Sequence, residues 1–512
     1  MVRIAEETDP EILRQAALLL DAENRRLIEL NVRLQREIIA LKGLDPATAQ
    51  LKIELLEQQL AQARQSLFGR SSERREGEET QPSPGPAPKK PQRGHGPTEQ
   101  PQLPIVEEPH ALDDAERICD SCGGTLVEWD GQFEESEEID VLERQFVLRK
   151  HKRQKYRCQC GACIKTAPSP LKLFEGARYS IRFAVDVAVG KYLDHLPLER
   201  QVRMMDRDGL TTTSQTLWDC LEAQARLLQP AYERLWSSLT ERDLLGADET
   251  RWHLLGKKGQ DEGPANWQVW ALCSSDAVYY RIEDSRSTRA AHNLLGGFKG
   301  TLMVDGYNAY EAVAKQAGAG IRLVFCWAHV RRKFVEIENF YPAECKQIIG
   351  LIRELYAVED ECPTGRQGDD LRRLLRRERS RAILDLISEW VFATYPRQLP
   401  ESSLAKAIKY MGSRWLGLTR FVDDPCIPLD NNATERVLRS VVVGRKNHYG
   451  SKSRRGTEVA ALYYSLLESA KLAGLEPRTY LLNAVLAALR REPVKLPHEL
   501  AAEAAAKSQP GP

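Results

Sequence analysis

Three carboxylates are the residues best placed to do chemistry: Asp248 in LLGADET, Asp305 in TLMVDGY and Glu435 in DNNATERVL. Both aspartates end apolar runs that read as central strands, where an acid without a partner or a cation is costly. Glu435 stands one turn into a predicted helix, and six Arg/Lys with no acid follow from Arg439 to Arg455. Carboxylates beside so much positive charge suit polyphosphate chemistry. Two acids on adjacent strands and a third on a helix can bridge two Mg2+ ions roughly 3.5–4 Å apart. One ion would activate water or a 3′-hydroxyl, and the other would stabilise the leaving oxygen. Rival readings stay open: Asp305-Gly306-Tyr307 also makes a good turn. Glu249 could replace Asp248 as a ligand, although strand alternation sends it to the opposite face. Asp430 reads as the N-cap that leaves Glu435 inside the first turns.

A second chemistry lies in the cysteines. Cys119 and Cys122 form a CxxC before Gly-Gly, and Cys158, Cys160 and Cys163 follow in YRCQCGACI. Two such pairs on hairpin turns read as a tetrahedral structural Zn2+ site, with a dithiol redox pair as the competitor. Cys119, Cys122, Cys158 and Cys163 are the expected ligands, and Cys160 is the alternative. Lys150, Lys152 and Arg153, just upstream, could grip phosphates or form a solvated face.

The elements that must position these groups follow from periodicity. From Asp243 the apolar runs LLGADETRWHLLG, NWQVWALCS, AVYYRIED, GTLMVDGY and IRLVFCWAH read as five strands. Helices are predicted over Thr288–Leu295 and Glu311–Ala317, and helical patterns return over 332–421 and 457–491. Trp252, Trp267 and Trp270 read as core rather than base-stacking platforms, and His329, which could touch substrate or metal, reads rather as a satisfied core or surface group. Upstream, LPLERQVRMMDRDGLTTTSQTLWDCL reads as helix, turn at Asp208-Gly209, and a second helix capped by Thr213 or Ser214. This is a helix-turn-helix-like pattern that could read DNA or be a plain helical hairpin. At the N-terminus Leu13, Leu20, Leu27, Leu34 and Leu41 recur every seven residues, with Asn24 and Asn31 on the alternate seam. That pattern favours a two-stranded coiled coil, hence at least a homodimer. Residues 71–104 are rich in Pro, Gly, Glu, Gln and Lys and read as a disordered linker.

Bulk properties constrain less. The 512 residues can bury several cores, and 73 Lys/Arg against 73 Asp/Glu gives no global charge argument. No run approaches a membrane span and no signal-peptide h-region is evident, so a cytoplasmic protein with reduced cysteines is expected.

Taken in order, LFGRSSER, CDSCGGTL, YRCQCGACI, LPLERQ, DET, MVDGYNAY, CWAHVRRKF, DNNATERVLRSVVVGRKN and SLLESAKLAGLEPRTYLLNAVL resemble the insertion-sequence-66 family of bacterial transposases over nearly the whole chain. The resemblance implies a DDE transposase of α+β multidomain build, with an RNase H-like α/β catalytic core. By motif match its triad falls on Asp248, Asp305 and Glu435 with Mg2+ (or Mn2+). The implied order is a leucine zipper over 1–70, the linker over 71–104, a zinc-binding module over 105–170 and a helix-turn-helix-like DNA-binding domain over 171–240. The catalytic domain then spans 241–465 with a helical insertion at 332–421, before a helical segment and tail over 466–512. DNA partners would be terminal inverted repeats and target DNA, with accessory transposition proteins as further candidates. Arg439, Arg445, Lys446, Lys452, Arg454 and Arg455 would hold the DNA backbone. Two rival functions are a non-catalytic dimeric regulator and a nuclease that cuts without joining. Arg251-Trp252-His253 departs from the smaller aliphatic residues usual after the DET motif.

Overall fold

The structure, a computed structural model, describes residues 145–157, 164–255, 267–363 and 365–508. The expected coiled coil, the linker and all five candidate zinc cysteines lie outside these residues. An antiparallel pair, β1 (Lys155–Arg157) and β2 (Ile164–Thr166), comes first. Helices α1 (Ile181–Tyr192), α2 (Leu198–Arg207) and α3 (Ser214–Thr240) follow. Gly209, at φ +80°, makes the turn after α2, and the Thr213 hydroxyl caps α3 by accepting from the Thr216 N–H.

The five expected strands form one mixed sheet: β3 (Leu244–Trp252), β4 (Trp267–Cys273), β5 (Val278–Glu283), β6 (Gly300–Val304) and β7 (Ile321–Phe325). Their order is β5-β4-β3-β6-β7. β4 runs antiparallel to both β3 and β5, whereas β6 lies parallel to both β3 and β7. Every residue of β4 is buried, as a continuous apolar run demands of a strand covered on both faces. The parallel steps require crossovers, supplied by α4 (Thr288–Leu295) and α5 (Asn308–Gln316).

After β7 come α6 (Trp327–Val335), α7 (Pro342–Asp360), α8 (Asp369–Leu375), α9 (Arg381–Thr394), α10 (Ser403–Ser413) and α11 (Trp415–Thr419). This insertion has its own core, which includes Ile348, Ile352, Leu384 and Met411 and meets the sheet at Met303 and Val324. The chain then returns as α12 (Asn432–His448), α13 (Arg454–Leu472), α14 (Pro477–Leu489) and α15 (Pro497–Ser508). One core joins the sheet to α1, α3, α13 and α14, so the helices before residue 240 share it with the strands. Trp252, Trp267 and Trp270 are all inside it.

α13 is buried on almost every side from Gly456 to Ala470, because it lies against the edge strand β5. Ser465 and Ser469, one turn apart, meet that edge directly. The Tyr280 N–H donates to Ser465 Oγ at 2.8 Å and the Val278 N–H to Ser469 Oγ at 2.9 Å. Two strand amides that would otherwise lack partners are thereby satisfied. Among the described residues, no helix is long and apolar enough to cross a membrane.

Candidate active site

The pleat of β3 sorts its side chains onto two faces. Gly246, Asp248 and Thr250 turn toward α12. A Cβ at Gly246 would stand 2.2 Å from Thr434 Oγ1 and 2.8 Å from Asn431 Oδ1. Only the missing side chain lets the helix that carries Glu435 approach this closely. Asn431 Nδ2 then donates to the Ala247 carbonyl at 2.9 Å and locks the helix start onto the strand. Glu249 faces the other way, as strand alternation predicts. Its side chain is 1% exposed, accepts from Tyr310 Oη at 2.9 Å and pairs with the half-exposed Arg286.

Asp305 follows β6 directly. The parallel register pairs Gly246 with Met303, and two further residues along each strand bring Asp248 level with Asp305. One Asp305 oxygen serves the turn, since Oδ1 accepts the Tyr307 N–H at 2.9 Å. The turn reading and the site reading are thus compatible. Gly306 sits at φ +93°, and a Cβ there would meet Arg414 Nε at 2.2 Å. Arg414 reaches in from the insertion, donates to the Gly306 carbonyl at 2.8 Å and lies over the Tyr410 ring. Tyr410 Oη donates to the Asp305 carbonyl at 2.6 Å. The insertion therefore braces the Asp305 turn.

Glu435 lies in the first turn of α12, whose N-cap is Asn431. Asp430 is not the cap; its Oδ1 accepts the Asn432 N–H at 3.0 Å, one residue further out. Glu435 Oε1 is buried without a hydrogen-bond partner. Asp248 feels Glu249, Asp305 and Glu435 together. Burial first, and then these neighbouring carboxylates, push its carboxyl up to about 8. The three carboxylates thus share one locus, with Asp248 in the middle of β3, where the sequence suggests a strand end, Asp305 just past β6 and Glu435 on α12.

His329 and Cys326 also reach this locus, and sequence reasoning undervalued the histidine. His329 Nδ1 stands 3.7 Å from Glu435 Oε1, too far for a hydrogen bond, and is itself buried without a partner. Burial lowers the His329 pKa, against the opposing pull of Glu435 and Asp305. The signal available in the sequence was the C-x-x-H spacing of CWAH at the end of an apolar run.

The basic residues divide. Arg439, Lys446, Lys452 and Arg454 are exposed, and the Arg454 guanidinium lies 5.2 Å from the centre of the Trp267 ring. Arg445 turns back onto β3, donating to the Arg251 carbonyl and to Thr250 Oγ1. Arg455 is engaged by Glu222 at 2.7 Å and Glu458 at 2.9 Å. Lys150, Lys152 and Arg153 are exposed before β1, and Arg153 Nε donates to the Ala167 carbonyl.

Residues 176–459, more than half of the chain, match the profile described as "Transposase IS66 family". Residues 116–161 match "zinc-finger binding domain of transposase IS66", a span that includes Cys119, Cys122, Cys158 and Cys160 and ends before Cys163. Uncharacterized protein y4jD of Sinorhizobium fredii (strain NBRC 101917 / NGR234) is 32% identical over 409 residues, covering 77% of this chain and 78% of that protein. Uncharacterized protein y4hP of the same strain is 25% identical over 429 residues, covering 79% of this chain and 76% of that protein. Among solved structures, the Mos1 strand transfer complex matches 31% of this chain and 60% of that chain at 10% identity. The TM-score is 0.12, a likeness too weak to bear on this fold.

Proposed function

This chain belongs to the IS66 family of transposases, and from that premise we propose that it cuts and joins DNA at an acidic triad of Asp248, Asp305 and Glu435. The carrying observation is the convergence of these carboxylates from the middle of β3, the end of its parallel neighbour β6 and the first turn of α12. The sheet order, three antiparallel strands followed by two parallel ones, supports reading the core as RNase H-like.

The donor set fits divalent cations. It gathers carboxylates round Asp248, whose carboxyl burial and these neighbours push up to about 8 until a cation displaces the proton, and it includes a buried Glu435 oxygen without a donor. Bound Mg2+ or Mn2+ would supply activation of the attacking oxygen and stabilisation of the leaving one. The protein's own part is positioning. Gly246 and Asn431 set the helix against the strand, while Arg414 and Tyr410 hold the Asp305 turn. Water cleaves the strand at the element's end, and the freed 3′-hydroxyl attacks target DNA by direct transesterification, with no covalent enzyme intermediate. Arg439, Lys446, Lys452 and Arg454 are the cations left to meet phosphates, with Lys150, Lys152 and Arg153 as a second group; Arg445 and Arg455 spend their donors inside the protein. The cysteine module holds Zn2+ through Cys119, Cys122 and two of Cys158, Cys160 and Cys163. The helix-turn-helix-like pair helps bind terminal repeats, and the zipper pairs protomers.

The test uses end-labelled duplexes carrying the element's terminal repeats. Asp248→Asn and Glu435→Gln should abolish Mg2+-dependent cleavage and strand transfer while leaving the band shift intact. Strand transfer at the wild-type level by either variant rules out the triad. Cleavage without joining by the wild type makes the protein a nuclease instead.

A further inference from the structure

Beside the carboxylate triad lies a second donor set of different chemistry. Cys326 Sγ, a His329 ring nitrogen and a Glu435 carboxylate oxygen all lie within 4.8 Å of one another. Cys326 and His329 come from the start of α6, Cys326 being its N-cap, and Glu435 comes from α12 more than a hundred residues later. Neither His329 Nδ1 nor Glu435 Oε1 has a hydrogen-bond partner, though both are buried and only 3.7 Å apart. Two such atoms, left unsatisfied and facing each other, are costly unless something stands between them. In a tetrahedral site with bonds of about 2.0–2.3 Å, neighbouring ligand atoms lie roughly 3.3–3.8 Å apart. For a nitrogen and an oxygen ligand the spacing is roughly 3.3–3.5 Å, so the His–Glu pair at 3.7 Å has only a few tenths of an ångström to close on a cation.

Backbone amides surround the sulfur, but burial outweighs them and pushes the Cys326 thiol up to about 12, so without a cation it keeps its proton. The Asn431 N–H donates to Cys326 Sγ at 3.2 Å, and the amides of Ala328 and His329 also point at it. Asn431 is the same residue that locks α12 onto β3. Placing Cys326 under this cap therefore fixes the sulfur relative to Glu435.

We propose that Cys326, His329 and Glu435 form a binding site for a thiophilic divalent cation such as Zn2+ or Co2+, adjoining the triad and sharing its glutamate. The cation displaces the thiol proton to solvent and takes one sulfur, one nitrogen and one oxygen, with a fourth position open to water or a DNA phosphate. A thiolate ligand selects Zn2+ or Co2+ over Mg2+, so millimolar Mg2+ should not empty the site. The donor atoms stand together whether or not the triad is catalytic.

The experiment is a Co2+ and Zn2+ titration of full-length, chelator-stripped protein, counting tight equivalents in the presence of excess Mg2+. Wild type should bind one equivalent more than Cys326→Ser or His329→Gln, and C326S should also lose part of the thiolate-to-cobalt charge-transfer intensity. The cysteine module contributes equally to all three proteins and cancels in the difference. If C326S does not fold, as judged by circular dichroism, H329Q carries the comparison, since its side chain reaches the surface. Equal stoichiometry and an unchanged cobalt spectrum across the folded proteins would overturn the site. Failure of the triad in strand transfer would leave the metal count untouched, so the two proposals fail separately.

Discussion

Asp248→Asn should make the metal-free protein more stable. In the unfolded chain this carboxyl titrates near 3.8, whereas in the native protein burial and three carboxylate neighbours push it up to about 8. Between those values the native state holds a proton that the unfolded state has released, so stability falls as pH rises through the window. Each pH step above 3.8 costs about 1.4 kcal/mol, which amounts to about 4 kcal/mol at pH 7 and about 1.6 kcal/mol at pH 5. Asparagine never ionises and removes this cost, although its amide must still find partners. The expected net gain is about 2–4 kcal/mol at pH 7. The assay is thermal melting of wild type and D248N in EDTA at pH 7 and pH 5. D248N should melt several degrees higher at pH 7, and the gap should narrow at pH 5. Adding Mg2+ should raise the wild-type midpoint, by preferential binding to the native state, far more than that of D248N. A D248N midpoint at or below wild type in EDTA at pH 7 would refute the view that burial and the neighbouring carboxylates hold the Asp248 carboxyl far above its ordinary range.

Three further outcomes follow from packing. Gly246→Ala puts a methyl 2.2 Å from Thr434 Oγ1, so α12 must back away; we expect a loss of about 1–3 kcal/mol in denaturant melts and cleavage activity lost out of proportion to stability. Arg286→Ala leaves Glu249 with Tyr310 alone; because the arginine is half exposed, the expected loss is only about 1 kcal/mol, and a loss of several kcal/mol would mean the pair is better shielded than it looks. The double variant Ser465→Ala/Ser469→Ala strips partners from two buried amides of β5. It should cost about 1–3 kcal/mol per serine and accelerate hydrogen exchange at Val278 and Tyr280 before other strands.

The five strands and the helix over Thr288–Leu295 were legible because short apolar runs between turn residues leave little choice of element. The opposite facing of Asp248 and Glu249 was legible from the strand period alone. What escaped the sequence depends on chain return. Nothing local to His329 says that Glu435 will arrive beside it across the whole insertion, and nothing near Arg455 points to Glu222 on α3. The capping error has the same origin: Asp430 and Asn431 are both good caps by type. Asn431 occupies the N-cap position without a side-chain cap bond, its amide and backbone binding Ala247 and Cys326 once α12 has docked, while Asp430 accepts the first helical N–H.

The closure of β5 by the serines of α13 has a counterpart on the other side of the sheet. There Gly417 on α11 packs against Phe325 and the Leu323 carbonyl, and Arg420 donates to that same carbonyl of β7. Both outer strands have thus had backbone groups claimed by helical segments of their own chain. A copy of the protein, or an extended peptide, would have to displace those groups before it could add a strand to this sheet. Growth by strand addition, the common route to filaments, is therefore hindered at both edges of this five-stranded sheet.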